Sequence, residues 1–317
     1  MTALLVMLKN VLIFVLLAVP GYLLVKGKVL RSADSAPLSK LLTEVGVPFM
    51  VFSSTLKLEF TPELTRTLLI TAGLTMIYLL LLFPASALTA RRDDPKRRGM
   101  ERFCMIFANN GFIGIPLARA VFGEGSAVVA YVIVINILNN VVMFSLGAPL
   151  VAGDRSARNL KKAVFNPVIL AFVLGIALNL VGINGIVPEV QTYCTHFSNI
   201  VTPISMVILG MKLAGVPMAN IFATRRLYWV SALRLVVFPV LGTAAVLSLH
   251  WLGWLWVSAD AVLAFFVAAA MPCAGLASAI ADQCGGDTEN AVKFTLGATI
   301  LSVATIPVLY WALCLLV

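Results

Sequence analysis

Two short stretches of this 317-residue chain hold residue types that apolar helices do not ordinarily tolerate. The first is Ala108-Asn109-Asn110-Gly111-Phe112-Ile113-Gly114-Ile115-Pro116, with adjacent carboxamides in the middle of an apolar run. The second is Ala270-Met271-Pro272-Cys273-Ala274-Gly275, also in the middle of one. Gly, Pro and Asn together mark an interrupted helix, because unwound backbone needs polar partners. The half-helix that resumes after each break presents unpaired N–H groups and a partial positive charge, which suits a carboxylate. Gly111, Pro116 and Pro272 are the expected breaking residues. Asn109 and Asn110 then donate to a ligand, cap the broken backbone or bond a neighbouring helix.

Other candidates surround these two stretches. Asn136, Asn139 and Asn140 stand at i, i+3, i+4 spacing, so their amides share one helix face. That face should look into the bundle, either touching substrate or joining helices, because a polar stripe in lipid is costly. Ser53 and Ser54 follow Pro48 and either line the same cavity or bond their own helix. Ionisable residues deep in apolar runs are few: Glu44, Arg119, Arg234, Asp260 and Asp282. Arg119 attracts an anion or pairs with a carboxylate, and Asp260 and Asp282 could simply reach the interface. Glu44 and Asp282 are the candidates for proton coupling, while so few carboxylates give little support for a sodium cage. Cys104, Cys194, Cys273, Cys284 and Cys314 show no CxxC pairing and read as small packed residues, implying neither disulfide, metal nor cofactor.

The elements that must position these residues are membrane spans. Hydrophobic residues make up 61% and charged residues 12%, about half the charged share that a water-facing domain needs. The mean hydropathy is +1.00. An all-α membrane protein follows, since the alternating ten-residue segments of an outer-membrane barrel are absent. Ten transmembrane helices are expected at 4–27, 38–57, 67–90, 102–122, 126–151, 166–184, 193–213, 227–250, 258–281 and 289–316. The first continues to Val25 without a small-residue cleavage site, so it reads as a retained helix rather than a signal peptide. The formal charge of +9 resides in short clusters between the runs, without the aromatic interleaving of a nucleic-acid surface. Lys26, Lys28, Arg31 and Lys40, then Arg91 to Arg102, then Arg155 to Lys162, then Lys212, Arg225 and Arg226 follow the odd-numbered helices, which places both termini outside the cytoplasm.

The chain also resembles itself. At an offset of 155 residues Pro48, Pro62 and Pro84 fall on Pro203, Pro217 and Pro239, and Lys57-Leu58 falls on Lys212-Leu213. Shared composition explains matching leucines but poorly explains punctuating prolines in register. Residues 1–152 and 166–317 therefore form two five-helix repeats joined by a short cytoplasmic linker, 153–165. Five is odd, so the second repeat is inverted, with the corresponding helices 4 and 9 both broken near the midplane. That is the usual ground plan for alternating access in secondary transporters.

At Asn109 to Gly123, N-N-G-F-I-G-I-P-L-A-R-A-V-F-G, and Ala270 to Asp287, A-M-P-C-A-G-L-A-S-A-I-A-D-Q-C-G-G-D, the chain resembles the auxin efflux carrier family. That family includes the plant PIN carriers and bacterial malate and other organic-acid permeases. The resemblance implies an elevator-type carrier of organic anions in a cell membrane, the bacterial inner membrane above all. Helices 1, 2, 6 and 7 would form a dimerising scaffold and helices 3–5 and 8–10 the moving transport domain, which carries the point where broken helices 4 and 9 are crossed. Asn109, Asn110, Gly111, Pro272, Cys273, Asn136, Asn139, Asn140, Ser53 and Arg119 make up the candidate substrate site. Plant relatives carry a proline just before the helix-4 asparagine, where this chain has Ala108, so the break here is expected to rely on Gly111. Many also carry a long loop after helix 5 that this chain lacks, which favours a microbial organic-acid carrier. The rivals are a sodium-coupled bile-acid-type symporter, a channel, and an intramembrane aspartyl protease suggested by Gly285-Gly286-Asp287 but lacking a matching second Asp.

Overall fold

The computed structural model describes residues 2–56, 61–90, 94–152, 167–182, 188–253 and 257–316, so the linker 153–165 and Lys57 lie outside the described residues. The elements are helical: α1 Thr2–Lys26, α2 Ser35–Leu41, α3 Val47–Leu56, α4 Pro62–Thr89, α5 Pro95–Ile106, α6 Asn110–Phe122, α7 Ala127–Ala152, α8 Pro167–Leu180, α9 Glu189–Ala214, α10 Arg225–Trp251, α11 Ala259–Ala270, α12 Ala277–Cys284 and α13 Thr288–Leu313. Among the described residues there is no β-strand, and one isolated antiparallel bridge joins Ala108 to Cys273. Among the described residues five helices, α4, α7, α9, α10 and α13, are long and apolar enough to cross a membrane.

Helix α4 shows how composition is distributed. Leu69, Leu81 and Leu88 are exposed at 70%, 62% and 77%, whereas Thr67, Thr71 and Thr75, spaced four apart, are buried. An apolar face turned outward and a hydroxyl face turned inward reverses the order that water imposes and fits hydrocarbon surroundings.

Several of these helices change their winding ahead of a proline in one repeated way. Single π turns occupy Leu42–Gly46, Asn110–Gly114, Met143–Gly147 and Leu233–Val237, and each ends two residues before a proline: Pro48, Pro116, Pro149 and Pro239. A proline ring clashes with the carbonyl four residues earlier and supplies no N–H to it. That carbonyl sits at the centre of each π turn, where the wider coil moves it away from the ring. In the third turn the Ser145 hydroxyl donates to Val141 O at 2.6 Å, giving a main-chain oxygen an extra partner.

Packing groups the helices into two neighbourhoods, with α1 also lying against α13 across them. Helix α1 lies along α9, where a Cβ on Gly21 would run into the Val207 carbonyl and one on Gly210 into the Ala18 carbonyl. Helix α3 lies against α8 and α9: Gly175 sits on Thr55, and Asn179 Nδ2 donates to Thr55 O at 2.9 Å and Leu56 O at 3.1 Å, capping the end of α3. In the other neighbourhood α7 packs on α4 and α11, α10 on α11, and α12 on α13. Arg226 of α10 holds the buried Glu101 of α5 through Nε at 2.9 Å and Nη2 at 2.6 Å. The α1–α9 contact depends on small residues, so Gly210→Ile should cost about 1–3 kcal/mol of overpacking. A fall in the apparent Tm of the detergent-solubilised protein would measure it; an unchanged Tm would mean the two helices do not need this close approach.

Candidate functional site

The two unusual stretches meet. Helix α5 ends at Ile106 and α6 begins at Asn110, while α11 ends at Ala270 and α12 begins at Ala277. Between them the backbones pair antiparallel: Asn109 N–H donates to Pro272 O and Ala274 N–H to Phe107 O, both at 2.9 Å. The Asn139 carboxamide completes the junction by accepting from Ala108 N at 3.4 Å and donating to Ala108 O at 3.3 Å. Arg234 closes it from α10, donating to Met271 O at 3.0 Å, Ala269 O at 3.1 Å and Ile106 O at 3.4 Å. Main-chain groups released from two helices are thus partnered inside the protein, as a low-dielectric interior requires.

Three cavities border this junction. The first, about 470 Å³ of empty space, has Thr43, Val47 and Val168 on one side and Asn109, Asn136, Asn140, Phe112 and Gly275 on the other. A second, about 460 Å³, shares Asn109, Phe112 and Gly275 with it and reaches Ser39, Ser205 and Lys212. A third, about 290 Å³, is lined by Thr75, Tyr78, Asn110, Asn139 and Arg234. The first is the best equipped for a small polar ligand, because three carboxamides, Asn109, Asn136 and Asn140, line it. Its wall combines neutral carboxamides with apolar and aromatic surface, and the first turn of α6 begins beside it. Asn136 Nδ2 is buried and has no hydrogen-bond partner among the described residues, and the same is true of Asn110 Oδ1 beside the third cavity. Buried amide atoms left in this state call for an explanation, and a ligand or water supplies one.

The expected site residues separate into groups. Asn109, Gly111, Asn136 and Asn140 line the first cavity together. Asn110 and Asn139 turn to the third, so the asparagine face of α7 straddles the junction instead of lining one space. Pro272 and Cys273 contribute backbone: Pro272 O accepts from Asn109, and Cys273 is fully buried opposite Ala108. The interruption itself falls at Phe107 to Asn109, ahead of Gly111 and Pro116, which lie inside α6. Ala108 can occupy it because its N–H donates to Asn139, a bond that a proline could not make.

Ser53 and Arg119 are not brought to the cavity. Ser53 Oγ accepts from Gln191 Nε2 of α9 at 2.7 Å. Arg119 donates to Ser198 Oγ at 2.7 Å and pairs with Glu124, so its charge is compensated at the end of α6. Glu44 is exposed on the π turn whose neighbour Thr43 lines the cavity, and the Asp282 side chain lies outside the described residues. Sequence reasoning did not single out Thr43, Phe112 or Gly275 as lining residues. Only Gly275 carried a signal, as a small residue in the second break. Arg234 was visible as a deep cation, but its place at the junction was not.

Comparison with known proteins gives the family. The profile of the family described as "Membrane transport protein" matches residues 6–161 and 156–310. An "Uncharacterized transporter" of Methanothermobacter thermautotrophicus is 29% identical over 306 residues, covering 94% of each chain. A Rhizobium meliloti protein named "Putative malonate transporter" is 27% identical over 255 residues, covering 77% of this chain and 76% of that one. With apolar helices long enough to span a bilayer and a family match over nearly its whole length, the chain is a multi-pass membrane transporter and belongs to the membrane transport protein family, the auxin efflux carrier family that its two motifs resemble.

Proposed function

We propose that this protein is a secondary carrier of small organic anions, mono- or dicarboxylates such as malonate or malate, working by an elevator-type alternating-access mechanism. The observation that carries the reading is the first cavity. It lies beside two interrupted helices, between elements of the α1–α3, α8, α9 neighbourhood and elements of the other. In this reading the chain has ten spans in two inverted five-helix repeats, with both termini outside the cytoplasm. The first neighbourhood is the scaffold and dimer surface, and the second carries the bound anion across. A substrate carboxylate accepts from the carboxamides of Asn109, Asn136 and Asn140 and from N–H groups in the first turn of α6. The positive end of that helix supplies the charge complement without a cation in the cavity wall. The unpartnered Asn136 Nδ2 supports this assignment. The name of the Rhizobium meliloti relative supports malonate as the first substrate to try.

Uptake into proteoliposomes across a panel of mono- and dicarboxylates, with and without sodium and pH gradients, tests the proposal. Saturable uptake with counterflow is the expected result. Channel-like flux without saturation, or no flux of any carboxylate, would refute it. The same assay checks the wall chemistry. Asn140→Asp changes little in shape but places a negative charge where the anion sits. Its KM should rise about tenfold or more, since one extra repulsion of about 1.4 kcal/mol suffices. A KM equal to that of the wild type would remove Asn140 from the site.

A further inference from the structure

Arg234 has a position that anion binding in the first cavity does not explain. Its side chain is 1% exposed, and its guanidinium is charged at any physiological pH. Among the described residues it forms no ion pair. Its geometric hydrogen bonds go to the main-chain oxygens of Ile106, Ala269 and Met271, that is, to the closing turn of α5 and the closing turn of α11 and the residue beyond it, while the Tyr78 hydroxyl and the Cys104 and Cys273 thiols, all neutral, lie close to it. Helix ends of this kind carry unpaired carbonyls and a partial negative charge. An uncompensated buried cation is strongly destabilising, and two converging C-termini supply compensation. The converse also holds: without a cation between them, the two helix ends would repel one another.

Main-chain oxygens at the ends of half-helices are the ligand chemistry that holds monovalent cations in interrupted membrane helices. We propose that Arg234 is a tethered cation filling a monovalent-cation site made by the carbonyl oxygens of Ile106, Ala269 and Met271. It is thus a positioning residue that fixes the junction without a mobile ion. Truncating it would leave a vacant site beside the third cavity, with room for a small cation and water. The functional consequence, carriage indifferent to sodium, rests on the transport reading; the cation site does not.

Arg234→Ala in detergent tests the site without reference to transport. Its apparent Tm should fall and be restored by millimolar guanidinium or sodium but not by choline, while the wild type responds to none of them. In proteoliposomes, wild-type counterflow should be equal in sodium and choline. The alanine variant should lose about 100-fold, the scale of a misplaced site, and recover on addition of guanidinium or sodium. Arg234→Lys, which keeps the charge, covers an alanine variant that does not reach the membrane; it should insert and remain indifferent to sodium. The proposal is overturned by an inserted alanine variant whose stability ignores both cations, by a lysine variant that requires sodium, or by a wild type stabilised by sodium. A wild type that moves no carboxylate, together with an alanine variant that still answers to guanidinium in the melt, would sink the transport reading and leave the site standing.

Discussion

Gly275→Val should lower carboxylate uptake by about 100-fold while the protein still inserts and folds, because an error of an ångström in a binding site has that scale of consequence. Gly275 borders both the first and the second cavity, at the second helix interruption. A Cβ there would lie 3.0 Å from Phe112 Cδ2 and 3.1 and 3.3 Å from the amide nitrogen and oxygen of Asn109. Alanine asks those neighbours to move by a few tenths of an ångström. Valine adds two further methyl groups to the space that the ligand needs and pushes the Asn109 carboxamide off its line. Alanine should therefore retain part of the activity and valine almost none. Initial uptake rates in proteoliposomes, normalised to inserted protein, would check this. Equal rates for glycine, alanine and valine would place the transported anion elsewhere.

Asn139→Leu should act on stability more than on affinity. The Asn139 carboxamide serves the N–H and the C=O of Ala108 at once, in the segment where neither is part of a helix. Leucine approximates its size but leaves both groups without that partner, at a cost of about 1–3 kcal/mol for each buried group. The expected result is a marked fall in apparent Tm, with reduced uptake that follows the loss of folded protein. Asn139→Gln keeps the amide but moves it by one methylene and should lie between. An unchanged Tm in Asn139→Leu would show that the junction does not depend on this residue.

Much of the junction was readable in the sequence because the constraint behind it is local. An apolar run cannot hold Asn109, Asn110 and Gly111, or Met271-Pro272-Cys273, without either breaking or finding partners; Asn109 and Met271-Pro272-Cys273 lie between helices, whereas Asn110 and Gly111 open α6 as a π turn. The π turns were less legible: a proline stands two residues beyond each of them, but Pro20, Pro84 and Pro307 stand inside helices without one. What could not be read is set by distant partners. The first break falls at Ala108 and not at Gly111 because Asn139, 31 residues away, and Arg234, 128 residues from Ile106, receive the freed main-chain groups. Asn136, Asn139 and Asn140 do share a helix face, but the junction crosses that face and divides it between two cavities. Ser53 and Arg119 carried the right chemistry and found nearer partners in Gln191, Ser198 and Glu124. Spacing gives the direction of a side chain, whereas its partner depends on which helices pack together.

The central claim is that the cavity between Asn109, Asn136 and Asn140 receives a small organic anion. Calorimetric titration of malonate and related carboxylates into the purified wild type and into Asn140→Asp tests it most directly. The account predicts saturable binding of at least one carboxylate by the wild type, weakened about tenfold or more in Asn140→Asp, the ratio expected from about 1.4 kcal/mol of added repulsion. Equal affinity in both proteins, or saturable binding of none of the panel, would contradict it.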